Sequence, residues 1–328
     1  MNTFKKPIIN LITFVVISFC FIVNMICVTQ AQSYVSQKGS EEDIKIQLES
    51  ELKNSIPFLE ETDRDNVTII NTDLGYSYNE KEGLLKIDVY KVDGNGMVTL
   101  KTGQKVPVLQ EKELDLSNDI GTLATYEPYR RVKSKNGYRK CEGYINLPTS
   151  SNLRGVDSSG EAAYNYFGIE NTSGVNDECG LFYASGIYNN KWWVYHNFNG
   201  TWVADWKPTS GISPGTRVFM RLYVPQDNQL AFRYEYSGGS ETILYTSGCG
   251  STKFDASSSQ KLRRLTTLLV NNTNSYSRNN IWQNIYIATP ANMHLWGTSD
   301  TSEHISTSYV SVTETNKYYN ETVNINIP

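Results

Sequence analysis

The spacing of hydrophobic residues predicts one helix in the first part of the chain. A stripe of aliphatic residues recurs every four positions, at Ile44, Leu48, Leu52 and Ile56. Ser40 stands before this stripe where an N-cap belongs, and Asp43 occupies the acidic position of a capping box. Pro57 follows the stripe and cannot continue a helix, because it lacks a backbone N–H and its ring clashes with the preceding turn. We therefore expect a single helix between Ser40 and Pro57.

After this helix the pattern changes to short segments typical of β-strands. Val67–Ile70 is the first of them. Leu84–Val92 and Met97–Lys101 flank the sequence Asp-Gly-Asn-Gly, which predicts a hairpin. Further runs, separated by Gly, Asn, Ser and Pro, are Gly137–Leu147, Ala162–Ile169, Leu181–Tyr188, Lys191–Phe198, Thr201–Trp206, Arg217–Val224, Gln229–Tyr236, Glu241–Thr246, Leu262–Val270 and Ile281–Thr289. Such a series of short strands indicates a mainly β protein with a β-sandwich or jelly roll.

The dipeptide Asn199-Gly200 predicts a further hairpin with a defined register. A type I′ turn needs positive φ at both central positions, and Asn-Gly is the strongest signal for it. In that register Tyr195 faces Ala204, and alternation along the two strands brings four rings to one side of the pleat. These rings are Trp193, Tyr195, Trp202 and Trp206.

The four rings are candidates for a ligand-binding surface. A sugar ring offers a face of C–H bonds that packs on a flat aromatic plane, and Tyr and Trp keep a polar group for hydroxyls. The other interpretation is structural, with the same rings filling the core of the sandwich. If they form an exposed platform, Trp192 and Phe198 on the opposite face are the buried residues. The sequence leaves both interpretations open.

The first 31 residues have the three parts of a secretory signal peptide. Lys5 and Lys6 precede an apolar run at residues 8–28, and Ala31 ends a cleavage site. A retained membrane anchor is the alternative, since about twenty apolar residues can span a bilayer. Polar residues inside the run favour cleavage. We expect a secreted, extracellular protein that is not attached to a membrane after the cut.

Charge and aromatic content change between residues 120 and 135. Residues 32–125 carry 10 basic and 18 acidic side chains and 5 aromatic residues. Residues 126–328 carry 18 basic and 16 acidic side chains and 30 aromatic residues, with all 6 Trp among them. This shift predicts a small α+β domain at 32–125 and a β-sandwich domain at 126–328. The basic residues at the join predict a solvated linker or an exposed processing site, and they are Arg130, Arg131, Lys133, Lys135, Arg139 and Lys140.

Composition excludes several kinds of partner and site. The formal net charge of −4 argues against nucleic acid or anionic lipid as the main partner. Three cysteines remain after the signal peptide, Cys141, Cys179 and Cys249, and an exported chain is expected to join two of them in a disulfide. Which two pair is open. No His stands near them at ligand spacing, so we expect no metal site and no cofactor.

Catalytic patterns are also missing. The chain has only 3 His, and it contains no nucleophile elbow, zinc-protease motif or phosphate loop. Asp177 and Glu178 are adjacent acids, but neighbours on a strand point to opposite faces and could not flank one glycosidic bond. We therefore assign no catalytic residue.

Four segments of the second part carry a family resemblance. They are residues 160–168 (Gly-Glu-Ala-Ala-Tyr-Asn-Tyr-Phe-Gly), residues 178–183 (Glu-Cys-Gly-Leu-Phe-Tyr), the Trp-rich hairpin, and residues 276–282 (Tyr-Ser-Arg-Asn-Asn-Ile-Trp). Together they resemble the YrpD-like secreted bacterial proteins over about residues 135–290. The resemblance implies an exported sandwich of the concanavalin-like lectin and glucanase type. It implies no particular activity and assigns no site residue.

Three functions follow from these observations. The first is a non-enzymatic, extracellular carbohydrate- or cell-surface-binding sandwich, with an N-terminal part that spaces or masks it. The alternative is a secreted polysaccharide-degrading enzyme, a hydrolase or lyase, of the same fold, with its acid and base on distant strands. The third is a secreted toxin or envelope factor that binds a protein. The missing catalytic set favours the first.

Overall fold

The structure is a computed structural model that describes residues 39–109, 126–156, 159–184, 189–204, 211–246, 254–257 and 259–328. The predicted signal peptide, Trp206 and Cys249 lie outside these residues. The chain divides into two compact units, residues 1–46 and residues 47–328. In the described ranges we find no helix with the length and apolar character needed to span a bilayer.

Helix α1 (Glu41–Ser55) is the predicted helix, and it begins at the predicted cap. The Asp43 backbone N–H donates to Ser40 Oγ at 3.2 Å, and the Ser40 N–H donates to the Asp43 carboxylate at 2.9 Å. This reciprocal pattern is a capping box. The helix ends two residues before Pro57, as expected for a residue that cannot extend it.

Short strands make up most of the remaining described residues. In chain order they are β1 (Val67–Asn71), β2 (Tyr76–Asn79), β3 (Gly83–Lys86), β4 (Val89–Lys91), β5 (Met97–Thr99), β6 (Lys105–Pro107), β7 (Tyr129–Ser134), β8 (Lys140–Asn146), β9 (Leu153–Arg154), β10 (Ala162–Glu170), β11 (Asn176–Tyr183), β12 (Trp192–Phe198), β13 (Thr201–Ala204), β14 (Arg217–Tyr223), β15 (Leu230–Tyr236), β16 (Gly239–Tyr245), β17 (Lys261–Leu269), β18 (Tyr276–Ala288), β19 (Met293–Leu295), β20 (Thr301–Ser306), β21 (Val310–Asn316) and β22 (Asn320–Asn326). Each strand-like run predicted after residue 136 overlaps one of them, β8 or β10 to β18, and residues 185–188 and 205–206 of these runs lie outside the described residues.

The strands form two large sheets and one small hairpin. Sheet A has the order β21-β22-β18-β8-β14-β15-β16-β1-β2-β3, and β9 and β19 also pair with β18. Sheet B has the order β20-β7-β17-β10-β11-β12-β13-β4. The small hairpin consists of β5 and β6. Strands that follow one another in the chain are often neighbours, as is usual in antiparallel folds.

The two large sheets pack face to face around one hydrophobic core. The Phe167 ring on sheet B lies 5.4 Å from the Trp282 ring on sheet A, and Trp282 Nε1 donates to Thr266 Oγ1 at 2.9 Å. The His196 ring on sheet B stacks on the Tyr245 ring on sheet A with centroids 3.9 Å apart. The predicted mainly β class with a β-sandwich is confirmed.

Strands from both sides of residue 125 share the two sheets. β1 pairs in parallel with β16 in sheet A, and β4 pairs with β13 in sheet B. Without these strands, β16 and β13 would present unpaired backbone groups at open edges. The predicted boundary between residues 125 and 126 therefore does not lie between two separate sheets.

The basic segment near residue 130 is a buried strand, which corrects the expectation of a solvated linker. β7 lies between β17 and β20 in sheet B. The Arg130 guanidinium lies 2.6 Å from the Glu321 carboxylate, and that of Arg131 lies 2.6 Å from Glu303. Arg130 and Arg131 are both buried. Because acidic partners arrive from strands near the C-terminus, the charge of this segment is neutralised inside the fold.

The predicted pairing of Leu84–Val92 with Met97–Lys101 is wrong. The turn forms, since the Gly96 N–H donates to the Asp93 carbonyl at 3.0 Å. The strands beside it separate, however, because β4 joins the edge of sheet B at β13 and β5 pairs with β6. We call residues Met97–Leu109, which contain β5 and β6, the cover hairpin.

The expected disulfide does not form at either of the cysteines that the structure describes. Cys141 and Cys179 are both buried, and neither is in a disulfide. Cys249 lies outside the described residues. Burial raises the pKa of the Cys141 thiol well above its ordinary value, which keeps this thiol protonated.

Candidate functional site

The hairpin of β12 and β13 has the predicted register. Tyr195 pairs with Ala204, and Asn197 pairs with Trp202. Asn199 has φ of 42° and Gly200 has φ of 79°, the positive values that a type I′ turn requires. The turn chemistry alone therefore determines which side chains of the hairpin share a face.

One face of sheet B points away from the sandwich core, and we call it the outer face. Six of its rings lie on β10, β11, β12 and β13, and they are Tyr164, Tyr166, Phe182, Trp193, Tyr195 and Trp202. The Tyr195 and Trp202 rings are stacked at 6.4 Å, and the Phe182 ring meets Trp202 edge-on at 5.3 Å. Three of the four predicted site residues thus share this face, and Trp206 lies outside the described residues.

A row of polar side chains crosses the outer face beside these rings. Glu178 is its centre, and it accepts a hydrogen bond from Arg263 Nη2 at 2.9 Å. Tyr166 Oη donates to the same carboxylate oxygen at 3.2 Å, and Asn197 Nδ2 donates to the other oxygen at 3.2 Å. An arginine and two neutral donors thus hold Glu178 in one orientation at the edge of the aromatic cluster.

Gly168 makes this row possible. It lies between Arg263 on β17 and Glu178 on β11, and it pairs with both. A Cβ at this position would lie 2.2 Å from Arg263 Nε and 2.7 Å from its Cγ. Only glycine leaves the Arg263 side chain room to cross β10 and reach the carboxylate.

The outer face is covered, which corrects the expectation of an exposed platform. Aliphatic residues of the cover hairpin pack on the rings, and they are Val98, Leu100, Val106, Val108 and Leu109. Tyr164 Oη donates to the Pro107 carbonyl at 2.5 Å. Trp193, Tyr195 and Trp202 are therefore only 8%, 1% and 0% exposed. Trp192, on the opposite face, is 0% exposed, so both faces of the hairpin are covered.

Polar atoms between the rings of the outer face are buried without a hydrogen-bond partner among the described residues. Among them are Tyr195 Oη, Trp202 Nε1 and Asn197 Oδ1. Burial, with the negative charge of Glu178 acting in the same direction, raises the pKa of the Tyr195 hydroxyl well above its ordinary value. The hydroxyl is therefore a neutral donor. A buried polar group without a partner is unfavourable, so the cover hairpin leaves this face incompletely satisfied.

The core-facing side of the same two strands holds a different polar cluster. Asp177 and Cys179 on β11 and His196 on β12 place their polar atoms within 4.8 Å of one another. The His196 Nε2 atom lies 2.6 Å from Asp177 Oδ1, and both residues are buried. Burial raises the pKa of Asp177, although the His196 side chain opposes this shift.

Sequence reasoning missed both polar groupings because each depends on the pairing of β11. Glu178 meets Asn197, and Cys179 meets His196, only after β11 and β12 take their register. The sequence between these strands offers no turn signal as specific as Asn-Gly. The i, i+2 spacing of Asp177 and Cys179 is the one local signal, since it places both on one face of a strand.

No family model matches the chain, and no curated protein matches it. Scytalido-glutamic peptidase bound to a transition-state analogue inhibitor is similar in fold, with 11% identity, a TM-score of 0.43, and coverage of 62% of this chain and 100% of that chain. SCP-B, an eqolisin-family peptidase bound to a tripeptide, has 8% identity and a TM-score of 0.39 over 62% of this chain and 98% of that chain.

A substituted family 7 alginate lyase, A1-II′, in complex with its substrate is also similar. It has 10% identity and a TM-score of 0.24 over 63% of this chain and 93% of that chain. All three TM-scores are below 0.5. The function of this chain is therefore argued from its own residues.

Proposed function

We propose that this protein is a secreted, non-enzymatic β-sandwich protein that binds an extracellular glycan or another cell-surface component. The binding surface is the outer face of sheet B, with Trp193, Tyr195 and Trp202 as its aromatic part. Asn197, Glu178 and Arg263 supply the polar part. The N-terminal part of the chain masks this surface through the cover hairpin.

The observation that carries the proposal is the set of buried polar atoms without partners between the rings. Tyr195 Oη and Trp202 Nε1 are donors, and Asn197 Oδ1 is an acceptor. A saccharide presents C–H faces to the rings and hydroxyls to such donors and acceptors at once. Buried polar groups normally have a hydrogen-bond partner, so these atoms can be satisfied by a ligand that takes the place of the cover hairpin.

The chemistry of the polar row also suits a sugar. The Asn197 amide and the Glu178 carboxylate lie together on adjacent strands, within reach of the same ligand group. Arg263 balances the carboxylate charge, so the row is close to neutral and favours hydroxyls over strongly charged ligands. The mild acidity of the chain and the predicted signal peptide support an extracellular site of action.

The alternative is a polysaccharide-degrading enzyme, and one observation favours it. Glu178 is buried beside the Tyr166 hydroxyl and the Arg263 guanidinium on a face rich in rings. A carboxyl group and a phenol in contact can exchange a proton with a bound saccharide. A glycosidase of the usual kind also needs a second carboxyl group about 5–10 Å away.

A comparison of closed and opened protein tests the proposal. Val98 and Val106 pair with each other and are fully buried against the rings, so Val98→Asp with Val106→Asp should release the cover hairpin. Thr99→Asp with Lys105→Asp is the matched control, because these residues also pair but point to solvent. All variants are applied to an array of bacterial, plant and animal glycans, with thermal melts to verify folding.

We expect the opened variant to bind one glycan class more strongly than the native chain and the control do. Adding Asn197→Ala to the opened variant should reduce that binding at least about tenfold, the size of one lost polar contact with its partner. A folded, opened variant that binds nothing on the array would overturn the proposal. Reducing-sugar and unsaturated-product assays on the same samples distinguish the enzyme, since only an enzyme releases products.

A further inference from the structure

The core-facing cluster of Asp177, Cys179 and His196 has the composition of a metal centre. Asp177 and Cys179 stand two positions apart on β11, and His196 is the cross-strand partner of Cys179 on β12. One carboxylate oxygen, one sulfur and one ring nitrogen lie within 4.8 Å of one another. The donor atoms that bind one metal ion lie at such short distances from one another, and the two paired strands hold these three side chains in place.

The cluster contains polar atoms that the described residues do not satisfy. Asp177 Oδ2 and His196 Nδ1 are buried and have no hydrogen-bond partner among these residues. Cys179 Sγ lies 3.9 Å from Asp177 Oδ1. The His196 ring is held by stacking on Tyr245 rather than by a hydrogen bond to its Nδ1 atom. Buried polar atoms of this kind usually indicate an unseen partner.

Charge and ligand type identify the ion. A thiolate and a carboxylate carry two negative charges, and a neutral imidazole adds none, so a divalent cation makes the group neutral in the core. Thiolate and imidazole donors suit zinc, whereas calcium and magnesium require oxygen ligands. Three protein donors leave one position of a tetrahedral site for a further donor.

We propose that Asp177, Cys179 and His196 bind a zinc ion in the core of the sandwich. All three residues are at most 1% exposed, so the ion enters while the chain folds rather than by diffusion into the native protein. Its role is structural, since it fixes β11 to β12 from the core side. The proposal does not rest on the proposed function, because Glu178 and the rings lie on the opposite face of these strands.

Refolding of the full chain tests the proposal. The protein is unfolded in denaturant with a reductant and a chelator, desalted, and refolded with either zinc chloride or chelator. Metal content is then measured by elemental analysis after gel filtration. We expect about one zinc ion per chain after refolding with zinc, and a higher melting temperature than after refolding with chelator.

Variants and a spectroscopic probe complete the test. Cys179→Ala and His196→Ala should retain less than about a tenth of the zinc, because each removes one ligand. Cys141→Ala and His294→Ala are matched controls: Cys141 is the other thiol among the described residues, and His294 is a partly exposed histidine 3.1 Å from the Asp300 carboxylate. Both controls should retain zinc as the native chain does.

If a ligand variant does not fold, the native chain is refolded with cobalt instead, and this experiment takes the place of the variant. A thiolate-to-cobalt absorption band is then expected, because the only described thiols are those of Cys141 and Cys179. The band should persist in Cys141→Ala. Absence of zinc and of this band in the refolded native chain would overturn the proposal. Full zinc retention in Cys179→Ala would do so too, whatever the glycan array shows.

Discussion

The two faces of the β12–β13 hairpin in sheet B are both buried, but different parts of the protein bury them. Sheet A covers the core side with long, paired strands, whereas the cover hairpin covers the outer side with two strands of three residues each. Trp192 and Trp193 are neighbours in sequence and are exposed by 0% and 8% on these two sides. The two Trp side chains are thus similarly buried, but displacing the short cover hairpin should require less free energy than separating the two sheets.

Arg263 and Arg264 repeat this comparison with charged groups. They point to opposite faces of β17, and each meets one glutamate. In the core, Glu321 lies between Arg264 and Arg130, and both arginines contact its carboxylate. On the outer face, Glu178 meets Arg263 beside the Tyr195, Trp202 and Asn197 atoms that have no partner among the described residues. In the core both oxygens of the Glu321 carboxylate are bound by arginine, although Arg264 Nη1 is also buried without a partner in the described part of the chain.

The largest expected effect is loss of a ring from the core side. Trp192→Ala should lower the free energy of unfolding by about 3–5 kcal/mol in urea denaturation, because sheet A cannot collapse into the gap. Trp193→Ala should cost less, since the cover hairpin can move toward the gap.

The same two variants in the opened background sharpen the comparison. With Val98→Asp and Val106→Asp present, Trp193→Ala should cost about 0.5 kcal/mol or less, as at an exposed site. The cost of Trp192→Ala should not change. Equal costs of Trp193→Ala in both backgrounds would mean that the cover hairpin is a fixed part of the core.

The outer ion pair should give the next largest effect. Arg263→Met removes a buried cation and leaves Glu178 without it, which should cost about 3 kcal/mol in the same denaturation experiment. Combining it with Glu178→Gln should restore part of that loss, since no buried charge then lacks a partner. Strictly additive costs would show that the two side chains do not interact.

Acid should weaken the core network. Burial acts to raise the pKa of Glu321, but the charge of Arg264 and the hydrogen bond from Arg130 outweigh it and lower this pKa below its ordinary value of 4.5. A lowered carboxyl pKa stabilises the fold above 4.5, and this contribution is lost as the pH falls through the folded value. Glu314 and Tyr318 are the other titratable groups that face this network.

Glu321→Gln tests this dependence. The variant should be less stable at neutral pH and should lose less stability than the native chain between pH 5 and acid pH, measured by thermal melts. Glu303→Gln is the control, because Glu303 is more than a third exposed and should change the acid dependence little. An unchanged acid dependence in Glu321→Gln would contradict the assignment.

The smallest effect is expected on the solvent side of the cover hairpin. Thr99→Asp should change the free energy of unfolding by about 0.5 kcal/mol or less, because Thr99 is exposed and pairs with exposed Lys105. Val98→Asp, one residue away, should cost several times more. Similar losses of unfolding free energy for Val98→Asp and Thr99→Asp would mean that the cover hairpin does not bury Val98 against the rings.

Local chemistry predicted the parts of the fold that depend on neighbours in sequence. The capping box of Ser40 and Asp43 determined the start of α1, and Asn199-Gly200 determined the register of β12 and β13. The order of strands around them could not be predicted, because β4 chooses β13 over β5 through contacts between distant residues.

The candidate site was predicted only in part for the same reason. The hairpin turn placed Trp193, Tyr195 and Trp202 on one face, but their exposure depends on a segment almost a hundred residues earlier in the chain. The charges of Arg130 and Glu321 look like surface charges in the sequence. They are 191 positions apart, and only the folded sheets bring them into contact.

The parallel pairing of β1 with β16 also bears on when the fold can form. Asn66, just before β1, bonds to the Ser240 carbonyl 174 positions later. A ribosome adding about 5–20 residues per second needs on the order of ten to thirty seconds to make that interval. During this time β1 has no permanent neighbour on one side. The chain therefore stays incompletely folded throughout most of its synthesis, and sheet A can close at this edge only after Ser240 has been made.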